Sequence, residues 1–442
     1  MSTTPLPPPP SNLTADTTAH GPVVDAPLPR LLALLLPATT AMYGLFQGIQ
    51  QILLPAQVEQ LDPASKVGNL ALLTTLAAVA SLLALPIGGA VSDRTRSRFG
   101  RRTPWLVAMS VVSALLVMYM GTSPNLLSLT VAYMLLWFAS NFYSGAISAM
   151  LPDRVPVERR GIASAVIGLG TPLGILIAVN LVSRIDRFWG YTSIGLALVV
   201  TTLLLSVGAR EPSSVGLVRP DARPAESAGG PRRRSANVSP RAVASFFAAF
   251  SSRDFTLAFI SRAALFLSYF TISGYLYYTV QDYIGEENVP GGNVAIAVST
   301  LASLSVITWL VVATAAGWLA DRLDRRKLFV GVSAVGMGLS MLAPILSPTW
   351  TGMVVYSVLS GAFVGVYFAV DLAVMSLVLP DKANEGRDFG LLAVATGLPQ
   401  ILSSVIAGAL ITFLGGYTAL YVFGALCAVV SGVVALRIRS VR

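Results

Sequence analysis

Apolar residues run in long, nearly unbroken blocks along this chain, separated by short polar clusters. Twelve blocks stand out, at residues 31–55, 67–91, 104–123, 126–150, 161–183, 190–209, 256–280, 293–320, 328–346, 351–379, 390–414 and 417–436. An α-helix rises about 1.5 Å per residue and the hydrocarbon layer of a bilayer is about 30 Å thick, so about 20 apolar residues make one crossing. The pattern predicts an all-α membrane protein with twelve transmembrane helices. Strands of a membrane barrel would alternate apolar and polar positions, which these blocks do not, and an open sheet edge finds no partner in lipid.

Composition agrees with that reading. The 442 residues are 54% hydrophobic and 12% charged, against roughly 25% charged in an ordinary soluble domain, which excludes a soluble globular protein. The formal net charge of +9 raises nucleic acid as a partner, but the placement of the basic residues argues against it. With the N-terminus inside, the connections and tails on that side hold 26 of the 30 Lys and Arg residues. The opposite loops hold only Lys66, Arg184 and Arg187, and Arg262 lies within a block. Such a bias places both termini in the cytoplasm and the chain in a plasma membrane, read here as a bacterial inner membrane.

Several chemistries fall away. Cys427 is the single cysteine, so no intramolecular disulfide forms, and the single histidine, His20, lies in a polar N-terminal stretch, which removes histidine metal clusters and proton relays. The lysines Lys66, Lys327 and Lys382 follow Ser, Arg and Asp, whereas a phosphate-binding P-loop needs Gly before its Lys. An enzyme embedded in the membrane would need a paired acid, a nucleophile or a metal set, and the blocks hold one carboxylate, Asp371, and no histidine. No enzyme activity, metal or cofactor is expected.

The layout is bipartite. Residues 1–28, rich in Pro, Thr and Ala, read as a disordered cytoplasmic tail. A six-helix bundle at 29–209 is followed by a cytoplasmic linker at 210–255, a second bundle at 256–436 and a short tail at 437–442. The first part of the linker reads as flexible. Its second part, from Arg241 to Phe255 with Phe246, Phe247 and Phe250, has the makings of an amphipathic helix on the inner leaflet. The bundles are repeats: Gly89, Asp93 and Arg94 recur as Gly317, Asp321 and Arg322, and Leu151-Pro-Asp153-Arg154 recurs as Leu379-Pro-Asp381-Lys382, all displaced by 228 residues. Parallel six-helix repeats are a transporter architecture.

The string Gly89-Ala-Val-Ser-Asp93-Arg94, followed by Gly100-Arg101-Arg102, resembles the signature loop of the major facilitator superfamily, with a degenerate copy at Gly317 to Lys327. The resemblance covers residues 30–436. The fuller string from Ser92 to Trp105 is similar to the branch of sucrose and glycoside-pentoside-hexuronide cation symporters. It implies two pseudo-symmetric six-helix bundles and alternating access, with proton-coupled symport of a sugar, glycoside or other hydroxylated molecule by a monomer. The alternative is a proton-coupled multidrug or metabolite efflux antiporter. Departures from the family pattern leave the direction open. Residues 67–92 hold no carboxylate for a sodium ion, residues 126–150 hold no arginine, and the antiporter motif of the fifth span is partial at Gly168-Leu-Gly170-Thr171-Pro172-Leu-Gly174. Those glycines read equally well as close helix packing.

The resemblance implies a central cavity lined by spans one, four, seven and ten, and each carries a polar stripe at helical spacing. These are Thr40, Tyr43, Gln47 and Gln50 or Gln51; Tyr133, Trp137, Asn141, Ser144 and Ser148; Arg262, Phe266, Tyr269, Ser273 and Tyr277; and Tyr356, Ser360, Tyr367 and Asp371. Rings stack on apolar faces of a ligand while amides exchange hydrogen bonds with its hydroxyls. Arg262 and Asp371 lie about 9 and 13 Å from the cytoplasmic ends of their spans, close enough to pair and to serve proton coupling. In the gate loops, Asp93 is expected at the start of span eleven near Gly390, with Gly89 allowing close approach, and Asp321 is expected likewise at span five near Gly161. Arg94, Arg101 and Arg102 would bridge to Asp153 or Glu158 as a cytoplasmic latch, with Gly317 and Arg322 as second-half counterparts.

Overall fold

The computed structural model describes residues 27–215, 250–323, 325–378 and 385–439. Nearly all of the expected N-terminal tail, linker residues 216–249 with most of the amphipathic stretch, and the last three residues lie outside the described residues. Twelve of the described helices are long and apolar enough to cross a membrane. In the first half these are α1 (Leu28–Leu61), α2 (Lys66–Arg94), α3 (Thr103–Gly121), α4 (Leu126–Arg154), α5 (Arg160–Val182) and α6 (Arg187–Gly208). In the second they are α7 (Arg253–Ser273), α8 (Val294–Leu323), α9 (Arg326–Leu346), α10 (Trp350–Leu377), α11 (Glu385–Phe413) and α12 (Gly416–Leu436).

Two of the twelve differ from the apolar blocks. α1 continues past residue 55 through a widened π-turn at Ile49–Leu53, next to Pro55, which has no N–H to give to the turn before it. Its last two turns include Gln57 and Glu59. Gln57 is wholly buried yet satisfied: Nε2 donates to the Met120 carbonyl at 2.7 Å and Oε1 accepts from the Tyr191 hydroxyl at 2.8 Å, which ties α1 to α3 and α6. The block at 256–280 splits instead. α7 ends at Ser273, Gly274 and Tyr275 turn the chain, and a second widened stretch follows at Thr279–Gly285.

Lipid tails are as apolar as leucine, so helices in a bilayer associate through close fit more than through hydrophobic drive. Glycine supplies that fit here. A Cβ at Gly88 of α2 would stand 2.5 Å from the Phe142 carbonyl oxygen of α4. The equivalent pair in the second half repeats the contact, with Gly365 of α10 2.7 Å from the Trp309 oxygen of α8 and Gly361 against Ser305. Gly170 and Gly174 of α5 press on Thr39 and Gly44 of α1, so two of the three glycines of the partial antiporter motif serve close packing, while Gly168 has no described neighbour within 4 Å of where a Cβ would stand.

Among the described residues, every hydrogen bond and ion pair joining the two halves lies on the face away from the termini: Asn180 Nδ2 to Ser303 Oγ at 2.6 Å, Tyr275 to the Val67 carbonyl at 3.3 Å, Tyr278 to the Pro55 carbonyl at 2.9 Å, and the contacts of Lys66. Gly89 and Gly161 near the terminal face, and Gly397 at mid-span in α11, have no described neighbour within 4 Å of where a Cβ would stand. The first linker residues are not free. Ser214 exchanges hydrogen bonds with Ser97, and Glu211 accepts from the backbone of Arg102 and Thr103, so residues 211–214 are anchored to the loop between α2 and α3.

Gly88→Ala and Gly365→Ala should each force backbone apart and cost about 1–3 kcal/mol, read as a lower unfolding temperature in detergent, whereas Gly397→Ala should be neutral. Wild-type melting of Gly88→Ala would show that this contact does not set the α2–α4 spacing.

Candidate functional site

A cavity of about 310 Å³ lies between the halves. The first half contributes Tyr43, Phe46, Gln47, Gln50, Gln51, Trp137 and Asn141, and the second contributes Phe266, Tyr269, Phe270, Trp309, Phe368 and Gln400. The widened turn of α1 carries Gln50 and Gln51 into this space. Asn141 gives its Nδ2 to the Trp137 carbonyl at 2.8 Å, which leaves its carbonyl oxygen for a ligand. The rings form two braced walls: Trp137 meets Phe46 edge-on at 5.0 Å, and Trp309 stacks on Phe368 at 5.2 Å. Among the described lining residues none carries a formal charge. A side pocket of about 70 Å³ opens from it between α8 and α10, with Ser305, Ser357 and Ser360 on its walls.

The structure brings seven of the nine expected lining residues to this cavity and leaves Tyr277 and Tyr367 off its wall. α7 has ended before Tyr277, so helical spacing no longer points that ring inward, and it packs on Tyr278 instead. Tyr367 is buried behind Phe266 and Phe368, and it is Phe368 that faces the cavity. Trp309 and Gln400 were not anticipated. Neither belongs to a repeating polar stripe of the kind seen on spans one and four.

Beneath Phe266 lies the charged pair. The Arg262 guanidinium sits over the Phe266 ring at 5.2 Å, donates from Nε to Thr396 Oγ1 at 3.1 Å and from Nη1 to Asp371 Oδ2. The two side chains are 14% and 2% exposed. Asp371 Oδ1 and the Tyr367 hydroxyl, one turn apart on α10, have no hydrogen-bond partner among the described residues. An unoccupied carboxylate oxygen in such a place can accept a proton without displacing the arginine.

On the terminal face the motif residues pair inside the first half. Arg102 Nη2 bridges Asp93 Oδ1 at 2.5 Å and Asp153 Oδ2 at 3.0 Å, and Arg101 reaches Asp153 Oδ1 at 2.8 Å. Asp93 therefore rests on Arg102 here, and the side chains around Gly390 lie outside the described residues, as does that of Asp321. Arg94 is exposed, and Arg322 lies over the Trp318 ring at 5.3 Å. These ion pairs hold one half together and do not tie it to the other.

The opposite face is closed by Lys66. Its Nζ is 2.8 Å from Glu59 of the first half and 2.7 Å from Asp282 of the second, 5.0 Å from the centre of the Tyr278 ring, and Tyr417 donates to the other Asp282 oxygen at 2.6 Å. Asp62 builds the turn that returns Lys66 to Glu59. Its carboxylate accepts from Asn69 Nδ2 at 2.9 Å and from the Ser65 N–H at 3.2 Å, and these bonds hold it below the usual carboxylate range.

The sequence matches the model of the Major Facilitator Superfamily over residues 38–306 and 264–442. The chain belongs to the major facilitator superfamily. As a facilitator it is a multi-pass membrane protein and a secondary transporter. It is 27% identical over 158 residues to the General alpha-glucoside permease of Schizosaccharomyces pombe, an alignment spanning 29% of each chain. It is 31% identical over 125 residues to Putative transporter AmpG 4 of Rickettsia conorii, spanning 26% of this chain and 30% of that one. The match thus spans under a third of either relative's length. A crystal structure of the peptide transporter POT with sulfate shares the fold, with a TM-score of 0.69 at 14% identity over 92% of this chain and 94% of that one.

Exchanging Lys66 for Gln removes a cation that touches carboxylates of both halves. Partly exposed ion pairs are worth up to about 1 kcal/mol, so Lys66→Gln should raise labelling of a cysteine placed at Gln51 from the face away from the termini by a few-fold. Unchanged labelling would remove Lys66 from the closure.

Proposed function

We propose that this facilitator moves a neutral, hydroxylated organic solute of the sugar or glycoside class, in symport with protons. The observation that carries the reading is the cavity wall: aromatic rings from both halves beside Gln47, Gln50, Gln51, Asn141 and Gln400, with no formal charge among its described residues. A sugar ring has apolar faces that stack on Trp137 or Tyr269 and hydroxyls that need amide partners. A charged drug or peptide would call for a counter-charge on that wall. The printed name of the yeast relative, a permease for alpha-glucosides, points the same way.

The cycle follows from the two faces. The basic, terminal face is cytoplasmic by the positive-inside bias, so the state described is closed outside and parted inside. Opening outward separates Lys66 from Asp282 and leaves it with Glu59. Closing inward brings Asp93 and Asp321 to the ends of α11 and α5, where helix N-termini favour a carboxylate. Asp371 carries the proton on Oδ1 while Arg262 holds the charge of the deprotonated form. Phe266, which touches both the guanidinium and the cavity, links the proton site to the solute.

Counterflow in proteoliposomes across sugars, glycosides and lipophilic cations tests the substrate class. Trp137→Ala and Gln51→Ala should each raise the half-saturating sugar concentration by about tenfold, and exchange of cations without sugars would favour the efflux antiporter. Asp371→Asn should abolish accumulation driven by a pH gradient while sparing exchange at equal pH. Unchanged accumulation in that variant would take Asp371 out of the coupling.

A further inference from the structure

Far from the central cavity, a groove of about 680 Å³ opens on the terminal face between α3 and α6. Its head is basic and its walls are apolar. Arg98 and Arg210 stand at the mouth, and Phe99, Val107, Ala108 and Val207 line the sides. Both arginines are exposed and make no ion pair among the described residues, whereas Arg101 and Arg102 of the same loop are held by Asp93 and Asp153. One carboxylate, Glu211, reaches the groove. Its Oε2 accepts from the Arg102 N–H at 2.9 Å, the Thr103 N–H at 3.0 Å and the Thr103 hydroxyl at 3.2 Å, so that oxygen caps α3, and among the described residues Glu211 makes no ion pair with either arginine. The helix N-terminus is thereby satisfied and is not itself an anion site.

We propose that this groove binds an anionic glycerophospholipid of the leaflet that bathes the terminal face. Two arginines border the groove at the membrane surface, the level of a lipid phosphate, and a planar donor fork suits phosphate oxygens. The apolar walls run from there along α3 and α6 toward the membrane interior, the direction of the acyl chains, with Val207 65% exposed along them. Phe99, 58% exposed and lying under Arg98 at 4.8 Å, stands at the depth where aromatic side chains meet headgroups. A free phosphate would use the arginines and leave these walls bare, and a zwitterionic lipid would bring its own cation against them. Basic pockets between transmembrane helices are a recurrent way to hold anionic headgroups.

The test uses the whole purified protein in a neutral detergent, with its unfolding temperature followed as dioleoyl phosphatidylglycerol is titrated against dioleoyl phosphatidylcholine and glycerol 3-phosphate. Phosphatidylglycerol should stabilise the wild type at a lower concentration than either of the others. In the double variant Arg98→Gln, Arg210→Gln its half-saturating concentration should rise by roughly 30-fold, while Arg437→Gln, Arg439→Gln, which removes the same charge from the same face, should leave it unchanged. Ala108→Trp fills the groove and keeps both arginines, so it should weaken the lipid effect even if the double variant fails to fold. Wild-type phosphatidylglycerol binding by Ala108→Trp, an equal response to phosphatidylcholine, or saturation by glycerol 3-phosphate alone would each overturn the proposal.

Discussion

In hydrocarbon a backbone N–H or C=O has no water to turn to, and every other feature of this chain follows from that constraint. Each crossing must be a helix, because a helix bonds its own backbone. Helices that gain little hydrophobic energy by touching must fit closely, hence the glycines at Gly88, Gly174 and Gly365 pressed onto neighbouring backbone. Polar side chains then have two places to be. They are bonded within a half, as Gln57 is between α3 and α6, or they face the space between the halves, as the glutamines of α1 do.

Hydrophobic block length carries the fold, so all twelve helices were legible from the order of residues alone. What was not legible has local causes. Gln57 and Glu59 lowered the apolar character of the end of α1, and nothing nearby in the chain shows that Tyr191 and Met120 satisfy the buried amide. The turn at Gly274 is a single residue within an apolar stretch, yet it ends the period on which the placing of Tyr277 depended. The stripes of α1 and α4 were visible because several polar residues repeat on one face. Gln400 is the single amide of α11, and Trp309 shares α8 only with Trp318, which is off the cavity wall, so neither belongs to a repeating stripe. Glu211 and Lys66 find their partners across long stretches of chain, and no spacing rule reaches that far.

The polar contacts of the two faces do different work. Away from the termini, a few polar contacts and a small-residue approach, Gly408 to Ala71, join the halves. Each is worth a kilocalorie or so in partly wet surroundings. That is the right scale for a two-state protein, since a closure many times stronger would leave the other state empty. On the terminal face the larger charges are spent inside the first half, where Arg102 braces the ends of α2 and α4. That half can therefore move as a body without unmaking its own ion pairs.

Gly100 has a φ of +88°, and the side chain it lacks would occupy the place of the Glu211 carboxylate. The motif's glycine is thus a seat for a residue that arrives only after four more crossings. The chain leaving α6 is stapled there to the start of α3 before it sets out toward the second half. The first residues past α6 are thereby held at the loop that carries Arg101 and Arg102, away from the end of the helix they leave.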